Sequence, residues 1–328
     1  MAYSNTVSQT VFSTRKVIDS AVRRCRIPAQ MITAEYIDIA NDQLYLLLSS
    51  LANQGVQLWC IDKLILPLYD GVGAVPLPTS TNDILNSNFR TLQAVTGTNT
   101  DTSTSRTVEF ETETAVTSVG VLWSAASVPL SIQRSDDNVA WETTQTETPS
   151  AAAGQWTWFD LDSSVATTYF RVVATSGTLS FDQLYLGNSP TEIPLARMNR
   201  DDYTNFPNKY FTSDRPTNFW FDRQIPQPVM RLWPVPNAAA SVDQLVVWVQ
   251  RYIMDVGTMT QQLEVPQRWY EAVVCMLAVR MARELQEADV SVIPRLEAEA
   301  KEALYYAQME ERDNSPIRIA PNIRCYTS

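Results

Sequence analysis

Apolar residues recur at helical spacing toward both ends of the chain and at strand spacing through its middle. Val17, Ile18, Ala21 and Val22 form a first stripe, which Pro28 closes. Ile37, Ala40, Leu44, Leu47, Leu48 and Leu51 form a second, at steps of three and four that predict a helix. Ser13 or Thr14 stands where the first helix needs a cap, and Thr33 where the second does. Near the other end, Val273, Val274, Leu277, Met281 and Leu285 predict a helix over about 267–287 behind Pro266. Pro294, at a favoured first-turn position, opens a last helix bearing Leu296, Ala300, Ala303, Leu304 and Ala307.

Between these regions the period falls to two. Leu64, Leu66 and Leu68 alternate, Asp70-Gly71 supplies a turn, and Val75 and Leu77 follow, so a short meander is expected, with a further strand at 89–95. Residues 96–107 are almost wholly Thr, Ser, Asn, Asp and Gly, the chemistry of a linker. Strand candidates then follow at 108–113, 116–123, 130–135, 140–144, 156–161, 169–174 and 179–186, separated by turn residues in the rhythm of a sandwich. After Pro190 the earlier style returns, with strands at 193–198, 219–221, 231–233 and 245–252.

The fold class expected is α+β: a helical bundle with a small antiparallel β-meander, interrupted by an inserted all-β sandwich. The domains are 1–95 plus 190–311 as one discontinuous body, 96–189 as the insert, and 312–328 as an extended C-terminal tail. An insertion is tolerated when its own ends lie close together, so 89–95 and 193–198 should pair or lie adjacent.

Composition narrows the function. In 328 residues Lys+Arg is 25 and Asp+Glu is 36, a net charge of −11, the opposite of what phosphate neutralisation on DNA requires. There is no histidine, which removes Ser-His-Asp and Cys-His catalysis and helical zinc sites built on paired histidines. Cys25, Cys60, Cys275 and Cys325 lie far apart without metal-ligand spacing. A carboxylate pair or a lysine could still do chemistry, so composition argues against catalysis without excluding it; the expectation is a non-enzyme with no catalytic residue, cofactor or metal. No apolar run is long enough for a membrane span, and the polar N-terminus does not read as a signal peptide.

Two features invite a ligand or partner. Trp156 and Trp158 share one strand face and would offer a stacking platform for sugar rings, against the alternative of a buried core. In the tail, Ile317, Arg318, Ile319, Ile323 and Arg324 alternate apolar with basic residues, a pattern suited to strand addition onto a partner. The acidic run Glu109, Glu111, Glu113 reads as a solvated strand face, and Asp136-Asp137-Asn138 as a hairpin turn. Only four Lys accompany 21 Arg, a bias that suits protein–protein contacts.

Several stretches, in order, resemble the head-to-tail adaptors (connector, tail tubular protein A-like) of short-tailed bacteriophages: "LPLYDGVGAVPLP", then "RMNRDDYTNFPNKYFTSDRPTNFWFDR" at 197–223, "RLWPVPNAAASVDQLVVWVQRYI" at 231–253 and "VPQRWYEAVVCMLAVRMARELQ". The resemblance covers about 1–95 and 190–322. It implies a structural virion protein at the head–tail junction, made in the host cytoplasm. It implies a homo-oligomeric ring, commonly a dodecamer, that binds the portal protein through the C-terminal tail. Tail nozzle or fibre proteins would lie beyond it, and DNA would pass through during ejection without sequence-specific binding. The block 96–189, with "PLSIQRSDDNVAWETT" and "YFRVVATSGTLSFDQLYLG", is similar to galactose-binding-like sandwiches, for which glycan contact is implied. The alternative function is accordingly a carbohydrate-binding module carried on a helical scaffold.

Overall fold

Trp269, 1% exposed, anchors a core shared by helices α1 (Thr14–Arg24), α2 (Ala34–Ala52), α4 (Tyr270–Glu284) and α5 (Ile293–Glu310). The computed structural model describes residues 12–28, 32–52, 58–162, 165–253, 257–285 and 288–310. It divides into two compact units, Met1–Ile61 with Tyr252–Ser328, and Asp62–Arg251. In the first unit α4 packs against α1, α2 and α5, because its apolar residues surround much of the helix: Val273, Val274, Leu277, Ala278 and Met281 are all buried. The stripes expected on α1 and α2 meet it through Val17, Ile18, Ala21, Leu44, Leu47 and Leu51. Each such side chain contributes about 1.5–3 kcal/mol by burial. Thr33 Oγ1 accepts the Tyr36 N–H at 3.4 Å, as its capping position predicts, whereas Ser13 makes no side-chain cap bond.

The second unit is built from strands. In chain order they are β1 (Ile61–Pro67), β2 (Ala74–Pro76), β3 (Thr81–Ala94), β4 (Thr98–Asp101), β5 (Ser105–Thr114), β6 (Ser118–Trp123), β7 (Leu130–Ser135), β8 (Glu142–Glu147) and β9 (Trp156–Asp160). They continue with β10 (Thr167–Ala174), β11 (Phe181–Pro194), β12 (Ala196–Met198), β13 (Thr212–Ser213), β14 (Asn218–Asp222), β15 (Val229–Trp233), β16 (Val235–Pro236) and β17 (Gln244–Arg251). The short helix α3 (Arg200–Asn205) lies between β12 and β13.

One six-stranded sheet, in the order β1-β17-β3-β11-β6-β9, runs through this unit. A five-stranded sheet, β4-β5-β10-β7-β8, closes a sandwich core around Trp123, Val119, Val121, Ile132, Phe170 and Val172. A four-stranded sheet, β12-β14-β15-β2, shares a second core with β1, β3 and β17 around Ile84, Phe89, Phe219, Met230, Leu232 and Leu245. The Asp136–Asn138 turn joins β7 to β8, with Asp137 Oδ1 accepting the Val139 and Ala140 N–H groups at 2.9 and 2.8 Å.

The expected fold class is corrected by this arrangement. Strands dominate, 39% against 28% helix, so a helical bundle with a minor meander does not describe the molecule. The expected pairing of 89–95 with 193–198 is present only where Phe89 faces Ile193; the rest of β3 up to Ala94 pairs with 187–192 instead. Its consequence differs from the expectation. β3 and β11 are 14 residues each and carry hydrogen bonding from the flanking strands straight into the sandwich. The compact division accordingly falls at 61/62 and 251/252 rather than at 95/96 and 189/190. The polar stretch 96–107 is not a linker but contains β4 and the start of β5, because Thr, though polar, is β-branched and suits a pleated surface.

Candidate functional site

Trp156 and Trp158 are brought together as their alternation requires, with rings stacked at 5.2 Å and 14°. They are 8% and 6% exposed. The reason lies across the strands. Tyr185 on β11, Gly120 on β6 and Trp158 on β9 stand in register, and glycine leaves a trough into which the Trp158 indole settles. There Trp158 meets the Tyr185 ring edge-on at 5.5 Å. Tyr69 covers the other end, its hydroxyl oxygen accepting the Trp156 N–H at 3.0 Å. Thr157 points the opposite way and accepts Trp123 Nε1–H at 2.9 Å. The tryptophan pair therefore forms a covered aromatic row rather than an open platform. Ile317, Arg318, Ile319, Ile323 and Arg324 lie outside the described residues.

An accessible groove instead forms at the rim of the four-stranded sheet, lined by Arg197, Met198, Asn199, Asp202, Trp220 and Phe221, with a volume of ≈ 450 Å³. Alternation along β14 sends Phe219 and Phe221 into the core and leaves Trp220 half-buried on the outer face. Parallel pairing of β12 with β14 sets Met198 beside Trp220. The chain then turns into α3, which Asn199 caps by accepting the Asp202 N–H at 2.8 Å. Tyr203 of that helix flanks the Trp220 ring at 5.1 Å, and the Arg231 guanidinium lies 5.7 Å from its centroid.

Arg197 is held by Asp83, with Nη2 donating to Oδ1 at 2.8 Å, and by the Ile84 carbonyl at 2.9 Å, yet its side chain stays 46% exposed. Burial alone would raise the Asp83 carboxyl. Hydrogen bonds from Arg197 and the Ile84 N–H, with the charges of Arg197 and Arg223, outweigh it and hold Asp83 below the usual carboxylate range. Asp222 is likewise tied to Arg231 at 3.0 Å. Asp202 is exposed. The groove thus brings the Trp220 indole together with a fixed guanidinium, an amide and a carboxylate, a set that recognises polar rings with apolar faces. Among the described residues no group of three or more Cys, Asp or Glu side chains is arranged to hold a metal.

The run 197–223 does not by its sequence alone reveal this groove. The legible signal was an aromatic-rich run interleaved with Asn, Asp and Arg; what assembled it was the β12–β14 pairing.

No family model matches the chain, and no curated protein does. Among solved structures it is similar to a fragment of a Bacteroides thetaiotaomicron protein, at 19% identity over 25% of this chain and 58% of that one, TM-score 0.22. The chain thus spans little more than half of that fragment. It is also similar to CBM32-1 from a family 31 glycoside hydrolase of Clostridium perfringens, at 11% identity over 41% of this chain and 98% of that one, TM-score 0.24. A third similarity is to CpGH89CBM32-5 of Clostridium perfringens, in complex with GalNAc-β-1,3-galactose, at 13% identity over 41% and 100%, TM-score 0.23. The galactose-binding-like likeness expected for the sandwich thus has counterparts among solved structures, at TM-scores too low to carry weight. The expected virion head-tail connector, with its dodecameric ring and DNA ejection, is not supported: none of these three structures is a connector.

Proposed function

We propose that this chain is a non-catalytic carbohydrate-binding protein that takes a neutral sugar ring at the Trp220 groove. One observation carries the reading: the half-buried Trp220 indole shares a ≈ 450 Å³ groove with Arg197, Asn199 and Asp202. A pyranose presents an apolar C–H face to an aromatic ring and hydroxyls to planar polar side chains. A guanidinium held by Asp83 loses little freedom on binding, which lowers the cost of association. Catalysis is not part of the proposal. Asp83 and Asp222 are committed to arginines, so neither is free to serve as acid or base.

The test is glycan-array and affinity-electrophoresis screening of the full chain against Trp220→Ala. Binding to a neutral glycan that falls tenfold or more in Trp220→Ala, with the fold retained, supports the reading. No glycan bound, or binding indifferent to Trp220, overturns it.

A further inference from the structure

A second cavity, independent of the Trp220 groove, lies within the helical unit. It is ≈ 340 Å³ in volume and opens between α2, α4 and α5. Leu47, Met276, Val279 and Ala300 supply apolar lining, and Arg280 and Lys301 supply positive charge. That volume sits at the small end of the range for ligand pockets, roughly 300–1,000 Å³.

The charge here is unbalanced. Arg283, also on the rim, is paired with Glu297 at 2.7 Å. Arg280 is not paired in this way: its Nη2 donates to Ser50 Oγ at 3.0 Å, and Ser50 in turn donates to the Leu47 carbonyl at 2.8 Å. Among the described residues neither Arg280 nor Lys301 has a carboxylate partner. Arg280 is half-buried, and burial pulls its pKa below the usual arginine value, as expected for a cation that has shed water without meeting an anion. A guanidinium is normally placed in such surroundings with a carboxylate in its fork. Ser50 fixes its direction while leaving donors of the fork available.

We propose that this cavity binds a medium-chain alkyl carboxylate, its head on Arg280 with Lys301 adding charge and its tail along Leu47, Met276, Val279 and Ala300. The unbranched, adaptable Met276 suits a flexible alkyl chain. The apolar lining excludes a purely ionic ligand such as acetate, and the uncompensated guanidinium excludes a cationic amphiphile of equal length.

The probe is decanoate, titrated below its micellar range into the full chain by calorimetry and thermal melting, beside acetate and decyltrimethylammonium. The expected result is saturable, one-to-one decanoate binding with a raised melting temperature, and no effect from the other two. Arg280→Gln should weaken decanoate at least tenfold with unchanged circular dichroism. Lys301→Gln, at an exposed position, should weaken it by a smaller factor and serves if Arg280→Gln does not fold. Absence of decanoate binding, equal binding of the cationic amphiphile, or affinity unchanged in both variants would each overturn the assignment.

Discussion

Arg90 reaches from β3 to Asp160 on β9, donating from Nη1 to Oδ1 at 2.6 Å while only 4% of its side chain is exposed. Its Nη2 donates to Glu192 Oε1 at 2.6 Å, so one guanidinium links β3, β11 and β9 within the six-stranded sheet. Its loss would leave Asp160 with Lys63 and Glu192 with Asn88, both carboxylates partly exposed, so the cost is that of charge-assisted hydrogen bonds, about 1.5–3 kcal/mol. Arg90→Met should therefore lower stability by about that amount in urea titration. A loss below about 1 kcal/mol, the range of surface pairs, would show that the network is too wet to matter.

Gly120 faces a different constraint. A β-carbon there would overlap three ring atoms of Trp158, and the indole is pinned between Tyr185 and its stacked neighbour Trp156. Gly120→Ala should cost about 1–3 kcal/mol, the usual range for overpacking. It should also shift tryptophan emission, because the indole row must lift. An alanine variant with unchanged stability and spectrum would mean that the row yields freely.

These two residues mark where the sequence was readable and where it was not. Period-two alternation located 130–135 within its observed bounds, and period 3.6 located α2 and α5, because each pattern is local and each face is buried. Residues 89–95 and 193–198 were matched by asking where an insertion must close. The continuity of β11 is hidden in the sequence because Gly187, Asn188, Ser189 and Pro190 read as turn formers, although Gly187 and Asn188 pair with Ala94 and Gln93 of β3. Trp156 and Trp158 share a face, as alternation along the strand requires, but the Tyr69 hydroxyl that meets Trp156 comes from 87 positions away. The Trp220 groove depends on the same kind of distant contact.

Asp243 sets a pH response. Burial raises its carboxyl from 3.8 to about 6, and its charge, after burial itself, helps to raise the Tyr185 hydroxyl. The folded state therefore holds a proton that the unfolded chain releases between about pH 3.8 and 6. Stability must fall as pH rises through that window. Asp243→Asn removes the penalty. Its melting temperature should exceed that of the parent at pH 8 and match it at pH 3.5; an advantage that does not change with pH would contradict the burial argument.

Cys275 tests burial against charge. Arg24 Nη1 lies 3.0 Å from its Sγ, a neighbour that would ordinarily favour the thiolate. Burial is the larger effect, opposed by Arg24 and reinforced by Glu271 and Glu299, so its pKa is raised. For Cys25 burial is the cause and takes the thiol to about 11, while it donates to the Ala278 carbonyl at 3.3 Å. At pH 8 only about one Cys25 in a thousand would be thiolate, and both residues are 1% exposed or less. Peptide mapping after iodoacetamide at pH 8 should find both unmodified in the native protein and both alkylated in urea. Rapid native labelling of Cys275 alone would mean that the Arg24 charge outweighs desolvation and that the thiol is within reach of solvent.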